Sequence, residues 1–116
     1  MRRLGVLALA LAGAALVAAP ASAGGPQHKT VKVFDNYYLP ATLTVNRGST
    51  ITWRWPTVAG DVHDVKLVSA PSGVKHFHSQ PASSAYSFKR VLRKPGLYKL
   101  KCTLHEEMRM TIRVRR

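Results

Sequence analysis

The sequence predicts an all-β domain, a Greek-key β-sandwich of about seven to eight short strands. Three observations point there. Apolar and polar residues alternate with period two along most of the chain after Lys29. Turn-forming groups, Asn46-Arg47-Gly48, Pro71-Ser72-Gly73 and Lys94-Pro95-Gly96, separate the alternating runs. No segment of helical length shows a clean 3.6-residue repeat.

Residues 1–23 read as a signal peptide. Arg2 and Arg3 precede an apolar run from Leu4 to Val17, and Ala21-Ser22-Ala23 supplies a cleavage site of the A-x-A type. The run is too short and too rich in small residues for a membrane span. No fuller twin-arginine motif surrounds the arginine pair, which favours a Sec-type signal. No cysteine follows the cleavage site to carry a lipid. The expected product is exported to the periplasm, the cell surface or the medium.

Residues 24–29 make a short flexible lead-in, and residues 30–116 make the domain. Thr30 to Phe34 is the first predicted strand, and Asn36 to Pro40 a turn or irregular bend. Thr42 to Val45 follows. Thr50 to Trp55 then places Ile51, Trp53 and Trp55 on one face and Thr50, Thr52 and Arg54 on the other. His63 to Val68, Tyr86 to Leu92, Leu97 to Cys102 and Met110 to Val114 complete the set. Lys75 to Ser84 is a long connection. A core of this size is marginal alone, and a bound metal would add to it.

The chain carries 18 basic and 5 acidic residues, a formal net charge of +13. Without Arg2 and Arg3, sixteen basic residues stand against five acidic ones, a net of +11. Such charge speaks to partners rather than to fold, and it attracts acidic proteins or anionic surfaces. Export argues against nucleic acid as a partner. The cations also alternate along strands instead of forming one basic run.

Cys102 is the only cysteine. A leftover thiol in an exported chain is by itself a small buried hydrophobe or half of an intermolecular disulfide. Its neighbours change that reading. Cys102, His105 and Met108 stand at even three-residue intervals on one short loop. Two His, one Cys and a weak axial Met make the ligand set of a mononuclear blue copper site. The second His must come from elsewhere, and His63 is the leading candidate. Alternation turns Cys102 inward with Tyr98 and Leu100, opposite Lys99 and Lys101. It also turns His63 inward with Val65 and Leu67, opposite Asp64 and Lys66. Asp64 and Thr103 each follow a candidate ligand, and a hydrogen bond between them would pin the two segments together. Asp61, Asp64, Glu106 and Glu107 all flank these residues, and Asp35 is the one acid that stands apart.

From Val31 to Val114 the chain resembles the small blue-copper cupredoxins of the plastocyanin, amicyanin and pseudoazurin type. The resemblance rests on Asn36-Tyr-Tyr-Leu-Pro-Ala-Thr-Leu-Thr-Val, Gly48-Ser-Thr-Ile-Thr-Trp and His63-Asp-Val. Pro95-Gly-Leu-Tyr-Lys-Leu-Lys-Cys102-Thr-Leu-His105-Glu-Glu-Met108 completes it. It implies a cupredoxin-like sandwich with one copper ion in a type 1 site. His63, Cys102 and His105 would be the equatorial ligands and Met108 the axial one. The implied activity is one-electron transport through the Cu(II)/Cu(I) couple by a monomer, without catalysis. A redox partner would dock near His105. Glu106 and Glu107 stand where the family carries Pro or Gly, and Asp64 where it carries Asn. Met110 is a second thioether, but it shares inward parity with Ile112 and Val114, and the family spacing selects Met108.

Other readings use the same residues. Cys-x-x-His can be half of a zinc site, although such sites use more cysteines in closed sets. Leu104 to Met110 could form a helix, which the strand pattern on both sides opposes. A nucleophilic Cys–His pair needs an oxyanion hole that no motif supplies. A copper carrier, which hands over metal rather than electrons, would share fold and ligands. His76 and His78 would face the same way on a strand and could form a weak second copper site.

Overall fold

The computed structural model describes residues 24–116 together with Gly5, Ala10, Ala12 and Gly13. The signal peptide read in 1–23 otherwise lies outside the described residues. Among the described residues there are eight strands and no helix. They are β1 (His28–Phe34), β2 (Tyr37–Leu39), β3 (Thr42–Asn46), β4 (Ser49–Arg54), β5 (Lys66–Ser69), β6 (Ser87–Leu92), β7 (Gly96–Lys101) and β8 (Arg109–Arg115).

The strands form two four-stranded sheets, ordered β2-β1-β4-β6 and β3-β8-β7-β5. Each sheet is mixed: β1 runs parallel to β4 and β3 parallel to β8, while the other neighbours are antiparallel. Alternation decides what lies between the sheets. Ile51 and Trp53 of β4 are buried, as are Tyr98 and Leu100 of β7 and Met110, Ile112 and Val114 of β8. Lys99, Arg109 and Arg113 point away on the same strands. Each large apolar side chain enclosed this way contributes about 1.5–3 kcal/mol. Trp53 packs against Phe77 and Phe88, with ring centroids 6.0 and 5.8 Å away. Phe77 thus moors the long connection between β5 and β6 to the core.

Three expectations need correction. Asn36 to Pro40 is not wholly irregular, because Tyr37–Leu39 pairs with β1 and Tyr38 is buried. The strand expected from His63 begins only at Lys66, and His63 makes an isolated bridge to Ala82. Asp64 does not point to solvent: it is 3% exposed. The segment before β1 lies against the end of β3. Asn46 Nδ2 donates to the carbonyls of Gly24 (2.7 Å) and Gly25 (3.0 Å), and β1 already starts at His28.

Candidate metal centre

Three of the four candidate ligands come from one contiguous segment. β7 ends at Lys101, and Cys102 keeps the inward direction of Tyr98 and Leu100. The chain then leaves the sheet, turns at Glu106-Glu107 and re-enters as β8. Two backbone bonds close this segment: Cys102 N–H donates to Met108 O (2.9 Å) and Met108 N–H to His105 O (3.1 Å). His105 Nδ1 lies 3.6 Å from Cys102 Sγ. Met108 is fully buried, His105 is partly exposed, and both glutamates face solvent.

His63 arrives by a different route. It precedes β5, and the long connection takes the place of a neighbouring strand. His63 N–H donates to Ala82 O and Ala82 N–H to His63 O, both at 2.9 Å. Two residues on, Val65 N–H donates to Ser79 Oγ (2.9 Å) and Ser79 N–H to Val65 O (2.8 Å). The His63 ring is buried, with Nε2 2.9 Å from Asp35 Oδ1. The hydrogen bond from His63, then that from the Asp61 backbone, holds the Asp35 carboxyl below the usual carboxylate range. An ionised carboxylate can only accept, so Nε2 carries a proton, and in the neutral ring that binds a metal the lone pair is then on Nδ1. That lone pair faces the thiol, with Nδ1 4.0 Å from Cys102 Sγ. One ligand atom from each of His63, Cys102 and His105 lies within 4.8 Å of the others.

Asp64 joins the two routes. Its Oδ1 accepts from Thr103 N–H at 2.6 Å, and its Oδ2 is bonded to the Thr103 hydroxyl. Oδ2 also meets His78 Nε2 at 2.7 Å. Burial pushes the Asp64 carboxyl up, but the bonds from Thr103 and His78 outweigh it and hold the group below its ordinary range. Behind it, the buried Tyr38 hydroxyl donates to Asp64 O at 2.5 Å. The residue after His63 is therefore tied both to the residue after Cys102 and to β2.

No protein-family model and no curated protein matches the chain. Solved structures do. A copper-containing nitrite reductase from Thermus scotoductus is 25% identical over 86% of this chain, with a TM-score of 0.68. The chain spans only 25% of that enzyme's length. A pseudoazurin from Sinorhizobium meliloti is 22% identical, covers 78% of this chain and 75% of its own, and superposes with a TM-score of 0.65. The reduced Cu(I) form of an amicyanin variant gives 24%, 76%, 82% and 0.66 for the same quantities. The fold is that of the cupredoxins.

Within this cupredoxin sandwich the donor chemistry is specific. A thiolate and two imidazoles converge on one buried spot, and a buried thioether closes the same segment. Soft sulfur with imidazole suits copper in both oxidation states. Structural zinc sites draw on Cys, His and carboxylate donors, not on a thioether. No helix spans Leu104 to Met110, so the helical reading of the segment falls. Met110 sits on β8 opposite Leu100 and is buried with Ile112 and Val114 as a core residue.

The cupredoxin frame does not bring every candidate together. His76 lies in no strand, so the alternation that would align it with His78 is absent. His78 instead turns its Nε2 to Asp64, while His76 lines a groove with Phe77, Arg90 and Tyr98. Among the described residues, neither Glu106 nor Glu107 forms an ion pair with His105. The residue that sequence reasoning set apart, Asp35, touches His63 directly. Its signal was parity: it continues the inward series of Val31 and Val33 beyond the end of β1. Ser79 and Ala82 left no comparable sequence signal, because they act through an irregular connection.

Proposed function

We propose that this chain is an exported one-electron carrier holding one copper ion in a type 1 site. The observation that carries the proposal is the convergence of His63 Nδ1, Cys102 Sγ and His105 Nδ1 beside buried Met108. In this reading the first three are equatorial ligands and Met108 is the axial one. When bound, copper supplies the Cu(II)/Cu(I) couple. The protein supplies a frame that need not rearrange. Ala82 and Asp35 fix His63, and the Cys102–Met108 backbone bond fixes the loop. Asp64 and Thr103 hold the two parts at constant separation.

His105 is the ligand with partial access to solvent, and it is the edge we assign to partner docking. Leu104 beside it is 54% exposed, and Val62 beside His63 is 46% exposed. The one ligand with access to solvent offers an edge for electron exchange, which supports a redox module. The pseudoazurin and amicyanin likenesses support the same reading. Export rests on the pattern in 1–23, with its charged start, apolar run and Ala21-Ser22-Ala23.

The test is the visible spectrum of the purified protein loaded with Cu(II). An intense blue absorption is expected, and Cys102→Ser should abolish it. A colourless wild-type protein would sink the proposal. Reversible voltammetry without copper loss separates the electron carrier from a copper carrier, which would release metal on reduction.

A further inference from the structure

The carboxylate of Asp35 reaches His63 from a part of the chain that supplies no ligand. It sits just past β1, 28 residues before the histidine it touches. Its position is built rather than incidental. Asp35 Oδ1 accepts from His63 Nε2 and from Asp61 N–H, both at 2.9 Å. Gly60 leaves the room: a Cβ there would meet Oδ1 at 2.6 Å and Oδ2 at 2.9 Å. The Gly60-Asp61 backbone therefore wraps the carboxylate against the imidazole. A groove of about 280 Å³, lined in part by Phe34, Trp55 and Val58, opens beside the pair. His63 is 2% exposed and Asp35 57% exposed, so one side chain links the buried ring to the surface.

Resting on the copper reading above, we propose that Asp35 is a positioning residue that sets the reduction potential through His63. Two effects follow from the one hydrogen bond. The acceptor fixes the tautomer, leaving the Nδ1 lone pair directed at the site. The negative charge draws the Nε2 proton toward oxygen and makes Nδ1 a stronger donor. A stronger nitrogen donor stabilises Cu(II) more than Cu(I), which lowers the potential. His105 has no corresponding carboxylate partner among the described residues, so the two imidazoles are unequal donors.

Asp35→Asn separates charge from geometry, because the amide oxygen can still accept from both donors. The variant should stay blue while its balance moves about tenfold toward Cu(I). For one electron that is a rise of about 59 mV. Asp61→Asn is the control, since the Asp61 side chain has no bond to His63. It should move the balance by less than about threefold, as a screened surface charge does. An unchanged potential in Asp35→Asn overturns the proposal, and so does an equal shift in Asp61→Asn. If Asp35→Asn fails to hold copper, the wild-type protein without metal still decides. Imidazole nitrogen NMR should find the His63 proton on Nε2, the nitrogen that faces Asp35, and a ring protonated on Nδ1 alone overturns the proposal. A wild-type protein that is not blue would instead refute the copper reading and leave the tautomer measurement standing.

Discussion

The site has two halves built on opposite plans. Cys102, His105 and Met108 belong to one seven-residue segment that closes on itself through Cys102 N–H and Met108 O. His63 is placed by groups far away in sequence: Asp35 before it, Ala82 and Ser79 after it, and Tyr38 beneath Asp64. The first half needs only two strands to hang from. The second needs the whole sandwich to be assembled before its ring has an orientation. Damage to the sandwich should therefore reach the copper site through His63 rather than through the loop.

Substitutions can break or sharpen this contrast. Asp64→Ala should have the largest effect, because Asp64 is the link between the halves. It would strand Thr103 N–H and release His78, costing about 3 kcal/mol in denaturant unfolding of the metal-free protein. A loss under about 1 kcal/mol would mean that the halves stand independently.

Tyr38→Phe comes next, at about 1–2 kcal/mol, because the buried Asp64 carbonyl loses its donor. It should also change the alkaline limb of stability. Burial pushes the Tyr38 phenol up, whereas an unfolded tyrosine ionises near about pH 10. Above that pH the unfolded chain has released a proton that the folded protein keeps, so stability falls as pH rises. In Tyr38→Phe that fall should be shallower, and identical slopes would refute the assignment.

Gly60→Ala tests the assembled half alone. The added methyl displaces the Asp35 carboxylate, so copper affinity should fall about tenfold while stability changes by about 1 kcal/mol. Competition with a chelator measures the first, and an unchanged affinity would remove Asp35 from the clamp. Smallest of all is the change on the contiguous half. Glu106→Gln with Glu107→Gln should alter stability by less than about 0.5 kcal/mol. The same pair should speed electron exchange with an anionic redox reagent at low salt only. A gain that persists at high salt would point to altered loop geometry rather than to charge.

The same contrast explains what the sequence could reveal. The contiguous half was legible because spacing is local: three soft donors at three-residue intervals need no tertiary knowledge. The sandwich was legible from alternation, and the inward parity of Cys102 held because β7 is a regular strand. His63 was placed inward for a partly mistaken reason. The strand assigned to it does not start until Lys66, and two bonds to Ala82 hold it instead. The same irregularity buried Asp64 against its predicted parity. Asp35 was missed because a carboxylate past a strand end looks solvated, and only the fold reveals which histidine lies beyond it.

One consequence concerns motion before contact. Among the described residues, no lysine or arginine pairs with a carboxylate, and both ion pairs involve histidines of the ligand end. The five acids, Asp35, Asp61, Asp64, Glu106 and Glu107, lie on or beside the segments that form the candidate site. Of the sixteen lysines and arginines in residues 24–116, Lys101 and Arg109 border the ligand loop and most of the others lie on the remaining strands and turns. Such a body carries a permanent electrical polarity. In the field of a charged partner it experiences torque as well as attraction, so it turns while still separated by solvent. Over the last several ångströms, within a Debye length of about 8 Å, which end arrives first is no longer left to chance.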